Sequence, residues 1–145
     1  MYFVDRSKIE QTLIYMEQVL DELKKASHSS FADRLALERM VHIAIESILD
    51  VGNMMIDGFI MRDPGSYEDI IDILVDEKVL MQEEEDAYKS FIGLRKMLVN
   101  EYASVDHASL SVTLEKSIRS IKKFEERILQ YLDNELGVAN TFLNE

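Results

Sequence analysis

The stretch that decides the fold is ALERMVHIAIESILDVGNMMI, residues 36–56. Leu37, Met40, Val41, Ala44, Ile45, Ile48, Val51, Met55 and Ile56 recur at spacings of three and four, the period of an α-helix. Followed outward, the pattern runs from about Phe31 to Met61, and its apolar positions cover more than half the circumference. A helix that apolar lies at the centre of a bundle or borders a second copy of the chain. Ser30, with Asp33 three residues later, forms a capping arrangement at its start. Glu46, Asp50 and Asn53 make a polar ridge on the same helix, also at helical spacing.

The flanking segments read the same way. A first helix is predicted from about Asp5 to Ala26, with Ile9, Leu13, Met16, Leu20 and Leu23 facing inward. Pro64 and Gly65 form the one strong turn signal, and Ser66 with Asp69 caps a short third helix, YEDIIDILVDE. Acid at Glu83 to Asp86 suits the start of a fourth helix, where it opposes the positive end of the helix dipole. SVDHASLS separates it from a fifth, Ser109 to Leu136, and Gly137 is the expected helix stop. No strand pattern competes. The expected fold is all-α: a single-domain antiparallel bundle of about five helices over residues 1–145, with 137–145 as a tail.

Composition narrows the function. The chain has 145 residues, no cysteine and a formal charge of −12. Without cysteine there is no disulfide framework and no thiolate chemistry. Apolar runs are broken by charges too often for a membrane span, and MYFVDRSKIEQ lacks the basic and apolar blocks of a signal peptide. A cytoplasmic location follows by elimination. The acidic surface repels nucleic acid on average, so any contact with RNA needs a local cationic cleft. His28, His42 and His107 lack the Glu-x-x-His pairing of a di-iron bundle, and no phosphate loop, serine-hydrolase elbow or zinc motif is present. No metal or other cofactor is expected.

One charge stands out. In LRKMLVNEY, residues 94–102, Arg95 shares a predicted helix face with Tyr88, Phe91, Ile92, Leu98, Val99 and Tyr102. A guanidinium in an apolar stripe must snorkel, pair with a carboxylate or wait for an anion. Glu46 and Asp50 are the favoured partners, and pairing with either leaves other donors for a ligand. Asn100 lies well round an ideal helix from Arg95, so the polar heads converge only if the helix frays there.

Arg95, four residues, Asn100, one residue, Tyr102 resembles the Arg-x4-His-x-Tyr signature of HepT-like ribonuclease toxins of the HEPN superfamily, with asparagine in the histidine position. Two further segments, ALERMVHIAIESILDVGNMMI and SYEDIIDILVDEKVL, are similar to the family's core helix and to its path into the active site. The resemblance spans about residues 6–132. It implies a two-fold homodimer with both motifs facing a shared cleft, metal-independent RNA cleavage, and a small nucleotidyltransferase antitoxin that attaches AMP to the motif tyrosine. Carried onto this chain, the catalytic positions are Arg95, Asn100 and Tyr102, with Tyr102 also the AMP acceptor.

Asn100 is the departure. An amide orients a phosphate but exchanges no useful proton, and loss of a general acid or base costs about 10²–10⁴-fold in rate. The expectation is therefore a toxin component with weakened or lost cleavage. The alternative is a non-catalytic module that binds RNA or a nucleotidyltransferase. His107, beside Asp106, is a candidate replacement base, and His42 reads as a structural histidine. Lys116, Arg119, Lys123 and Arg127 fall on one face of the last helix, as a solvated strip or an RNA guide.

Overall fold

The computed structural model describes residues 2–143, with side chains through residue 137. Six α-helices and one 3-10 turn follow in order: α1 (Arg6–Lys24), α2 (Phe31–Gly58), α3 (Tyr67–Asp76), the turn Gln82–Glu84, α4 (Glu85–Asn100), α5 (His107–Ile121) and α6 (Phe124–Leu143). The caps are those the sequence proposes. Asp33 N donates to Ser30 Oγ at 3.0 Å while its carboxylate accepts from Ser30 N, a reciprocal box. Asp69 N donates to Ser66 Oγ at 3.1 Å.

α2 is the core of the bundle. It packs along α1, while α3 sits against both α2 and α4, and α5 lies on α4. Leu37, Val41, Ala44, Ile45, Ile48, Val51, Met55 and Ile56 are each no more than 1% exposed. Burying a Leu, Val, Ile or Met side chain stabilises by roughly 1.5–3 kcal/mol, so this row contributes substantially to the cohesion of the bundle. Gly52 lets α3 approach closely, since a Cβ there would meet Ile70 Cγ2 at 2.6 Å.

The boundaries depart from the sequence expectation at the end of α2, within the expected fifth helix and beyond Gly137. α2 ends at Gly58 rather than near Met61, because Ile60 turns left-handed (φ +58°) and Met61 N reaches back to Ile56 O at 2.9 Å. α3 closes the same way, with Lys78 at φ +63° and Val79 N on Leu74 O at 2.8 Å. Glycine normally marks such Schellman closures, so neither was legible.

The expected fifth helix is two helices. Ser120 O accepts from Lys123 N (3.0 Å) and from the Tyr88 hydroxyl (2.9 Å), so the chain tightens at Lys122–Lys123. The break also divides the expected basic strip. Arg127 Nε turns onto Glu84 Oε1 at 3.0 Å and is largely covered, whereas Lys123, whose Nζ lies 3.9 Å from the same carboxylate, stays exposed to solvent.

Gly137 interrupts α6 with φ +48° and ψ −134°, a conformation that favours glycine. Helix resumes beyond it, where a tail was expected; residues 144–145 of that tail lie outside the described residues.

Candidate functional site

α4 sorts its stripe by burial. Tyr88 and Phe91 are fully buried, and Ile92 and Leu98 nearly so. Arg95 is partly buried, its side chain 27% exposed. Its Nε donates to Glu46 Oε1 at 2.5 Å, and its guanidinium carbon stands 4.6 Å from the centroid of the Tyr67 ring. Glu46 raises the Arg95 pKa through that hydrogen bond, against desolvation, so the charge is permanent. The two terminal NH2 groups have no hydrogen-bond partner among the described residues. A fork held at one edge and open at the other suits bidentate contact with an oxyanion.

Of the two carboxylates proposed for Arg95, only Glu46 reaches it. Asp50 is exposed and, like Glu46 itself, lines a groove between α1 and α2 with Tyr15 and Arg39, but it makes no contact with Arg95. Four residues along α2 is an axial step of about 6 Å, enough to carry a carboxylate past the guanidinium.

Between the start of α3 and the outer face of α4 lies a groove of about 500 Å³. Arg95 and Asn100 both line it, together with Tyr67, Gly93, Lys96 and Val99. α4 ends at Asn100, and Glu101 leaves helical geometry at φ −110°, ψ +40°. Tyr102 is therefore off the helix and off the shared face, 73% exposed, and is not among the groove's lining residues. The motif thus divides: Arg95 and Asn100 share a groove, and the Tyr102 side chain stands beyond the helix end.

No histidine lines the groove. His107 opens α5, and its Nε2 lies 2.7 Å from Glu38 Oε2 on α2. His42 Nε2 is 3.4 Å from Glu46 Oε1, so His42 borders the carboxylate that holds Arg95. That contact was readable, since His42 and Glu46 are four apart on one helix. Tyr67 and Glu38 were missed, because each meets its partner only through the packing of separate helices. Among the described residues, no three His, Asp or Glu side chains gather as a metal ion requires. No helix there is long and apolar enough to cross a membrane.

The all-helical bundle with its anchored arginine is matched by comparison with known proteins. The profile of the family described as Ribonuclease HepT-like matches residues 9–128, and this chain belongs to that family. It is 49% identical over 143 residues to YutE of Bacillus subtilis (strain 168), a protein named as a candidate RNase, covering 98% of this chain and 99% of that one. A solved structure of YutE, described as a cytosolic protein, superposes with a TM-score of 0.91 at 50% identity, over 94% of this chain and 96% of that one. The tri-AMPylated HEPN toxin of Shewanella oneidensis, solved with its MNT antitoxin, superposes with a TM-score of 0.68 over 83% of this chain and 92% of that one. At 17% identity that likeness concerns the fold.

Proposed function

We propose that this chain is a single-domain HepT-like toxin component, working as a two-fold homodimer, that holds RNA phosphate at Arg95 but cleaves it poorly because Asn100 replaces the proton-transferring histidine. One observation carries the reading: Arg95 and Asn100 line one groove, and no histidine lines it with them. RNA cleavage of this kind sends the 2′-oxygen onto phosphorus while the 5′-oxygen departs. The guanidinium stabilises the charge on the phosphoryl oxygens. The 2′-hydroxyl must lose a proton and the leaving oxygen must gain one, and the Asn100 amide does neither at neutral pH. Glu46 acts through Arg95 by fixing the fork; Asp50, which does not contact Arg95, has no such role in this reading.

The partner in this reading is a small nucleotidyltransferase antitoxin. The exposed Tyr102 side chain supports that part: its hydroxyl is accessible to attack the α-phosphorus of an ATP bound by the antitoxin, losing its proton as pyrophosphate leaves. Phe31 and Leu35 on α2, 69% and 46% exposed, support the dimer as apolar surface the single chain leaves uncovered.

The test compares the unaltered protein with Asn100→His on single-stranded RNA, in chelator, across the pH range in which histidine titrates. The variant should cleave about 10²-fold faster or more, with a rise centred near pH 6.5. Equal, robust cleavage by both proteins sinks the assignment of Asn100 as a catalytic loss. If neither cuts yet both bind RNA, the non-catalytic module is the better description. Mass spectrometry after incubation with the antitoxin and ATP reads AMP on Tyr102.

A further inference from the structure

Gly93 sits in the middle of α4, exposed, where glycine weakens a helix relative to alanine. Packing within the chain does not explain it. A Cβ built there meets nothing within 4 Å, in contrast to Gly52 and Gly58, where neighbouring side chains already press in. The bare backbone of Gly93 lines the groove that holds Arg95. Around it the groove is chemically graded. Lys96, which has no ion-pair partner within 4 Å among the described residues, and the open edge of Arg95 supply positive charge. Tyr67, half exposed and covered in part by the guanidinium, supplies an aromatic surface beside the apolar Val99. Glu68 also lines it, next to Tyr67 on the first turn of α3.

From this arrangement we infer that the groove is a nucleotide subsite, taking one unpaired base of single-stranded RNA against Tyr67 and the bare backbone of Gly93. The inference rests on the proposed function and names how its substrate is held. Charge fixes the orientation. A phosphate is drawn to Arg95 and Lys96 and repelled by Glu68, while Glu68 accepts a hydrogen bond from an N–H on the base edge. Stacking on an aromatic ring needs a base out of its helix, so duplex RNA is excluded. Glycine at position 93 leaves the base plane room that any side chain would fill.

Fluorescence anisotropy with a short labelled single-stranded RNA, and with its duplex form, tests this on the full chain. Gly93→Leu should weaken single-strand binding at least about tenfold, with an unchanged or higher melting temperature because an exposed helical glycine has been replaced. Tyr67→Ala should weaken it by about tenfold or more, and Tyr67→Phe should restore it. Duplex RNA should bind poorly to every form. If Arg95→Ala abolishes binding while Gly93→Leu and Tyr67→Ala bind as the unaltered protein does, the subsite is refuted and the phosphate contact of the proposed function stands. If the unaltered protein binds no RNA, both fall. If Gly93→Leu instead shifts the sedimentation coefficient to that of a smaller species, the groove is covered by a second copy, and the subsite is refuted by that route.

Discussion

The contact between Glu46 and Arg95 is the part of the site most open to a quantitative test. The perturbation is a double-mutant cycle: Glu46→Ala, Arg95→Ala and the pair. Fully exposed ion pairs couple by about 0.2–1 kcal/mol, and breaking a buried one costs about 3–5 kcal/mol. This pair stands between, with side chains 37% and 27% exposed and an Nε–Oε1 distance of 2.5 Å. Solvent screens both partners, so a coupling near 1 kcal/mol is expected. Arg95→Ala should cost more than Glu46→Ala, because it also removes the guanidinium from the Tyr67 ring, a contact contributing about 0.5–1 kcal/mol at exposed sites. For a chain of this length, 1 kcal/mol corresponds to roughly 2–4 °C in Tm. Urea denaturation of the four proteins supplies the cycle. A coupling below about 0.3 kcal/mol, within the additivity of independent sites, would show that Glu46 does not anchor Arg95, and the pre-organised fork would go with it.

Two glycines should respond to alanine with opposite signs. Gly93→Ala should stabilise by about 0.5–1 kcal/mol, whereas Gly52→Ala should destabilise by about 1–2 kcal/mol because the stiff Ile70 methyl occupies the space; thermal melts decide, and like signs would contradict the packing. Ile60→Gly should stabilise by about 1 kcal/mol, since a β-branched residue is strained at φ +58°; a loss of stability would mean the exposed Ile60 side chain matters more than its backbone. Burial, reinforced by Glu125 and Asp21, pushes the Glu17 carboxyl above its usual range, and its Oε1 is buried without a hydrogen bond. The fold therefore favours neutral Glu17, a contribution complete below the ordinary glutamate pKa and lost as pH rises through the raised value. Glu17→Gln should accordingly be the more stable form at neutral pH, by roughly 1 kcal/mol, and gain nothing in acid; a pH-independent difference in Tm would refute the assignment. The Arg62 guanidinium and the Gly65 N–H hold Asp69 at about 2, the opposite case, so its contribution persists at neutral pH and fades only as acid approaches that value.

Much of the molecule is written in local pattern. The period of Leu37 to Ile56 determined a helix and its azimuth, because side chains three and four apart must share a face whatever surrounds them. Ser30, Asp33 and Ser66 determined two helix starts, since a short side-chain oxygen meets the free N–H groups within the same turn. The three ordered segments also carried the family resemblance. Local pattern stops where partners belong to different helices. Glu46 and Asp50 are equivalent in sequence, four apart on one ridge, and only the axial offset between α2 and α4 chose Glu46 for Arg95. That offset comes from the fit of side chains between helices, which no period encodes. Tyr67 reaches Arg95 because Gly52 lets α3 close on α2, and the two left-handed closures at Ile60 and Lys78 are held by hydrogen bonds without the glycine that would have announced them. The fate of Tyr102 was settled by one turn: Glu101 leaves helical geometry, and a tyrosine that belongs to the helix face by count belongs to solvent in space.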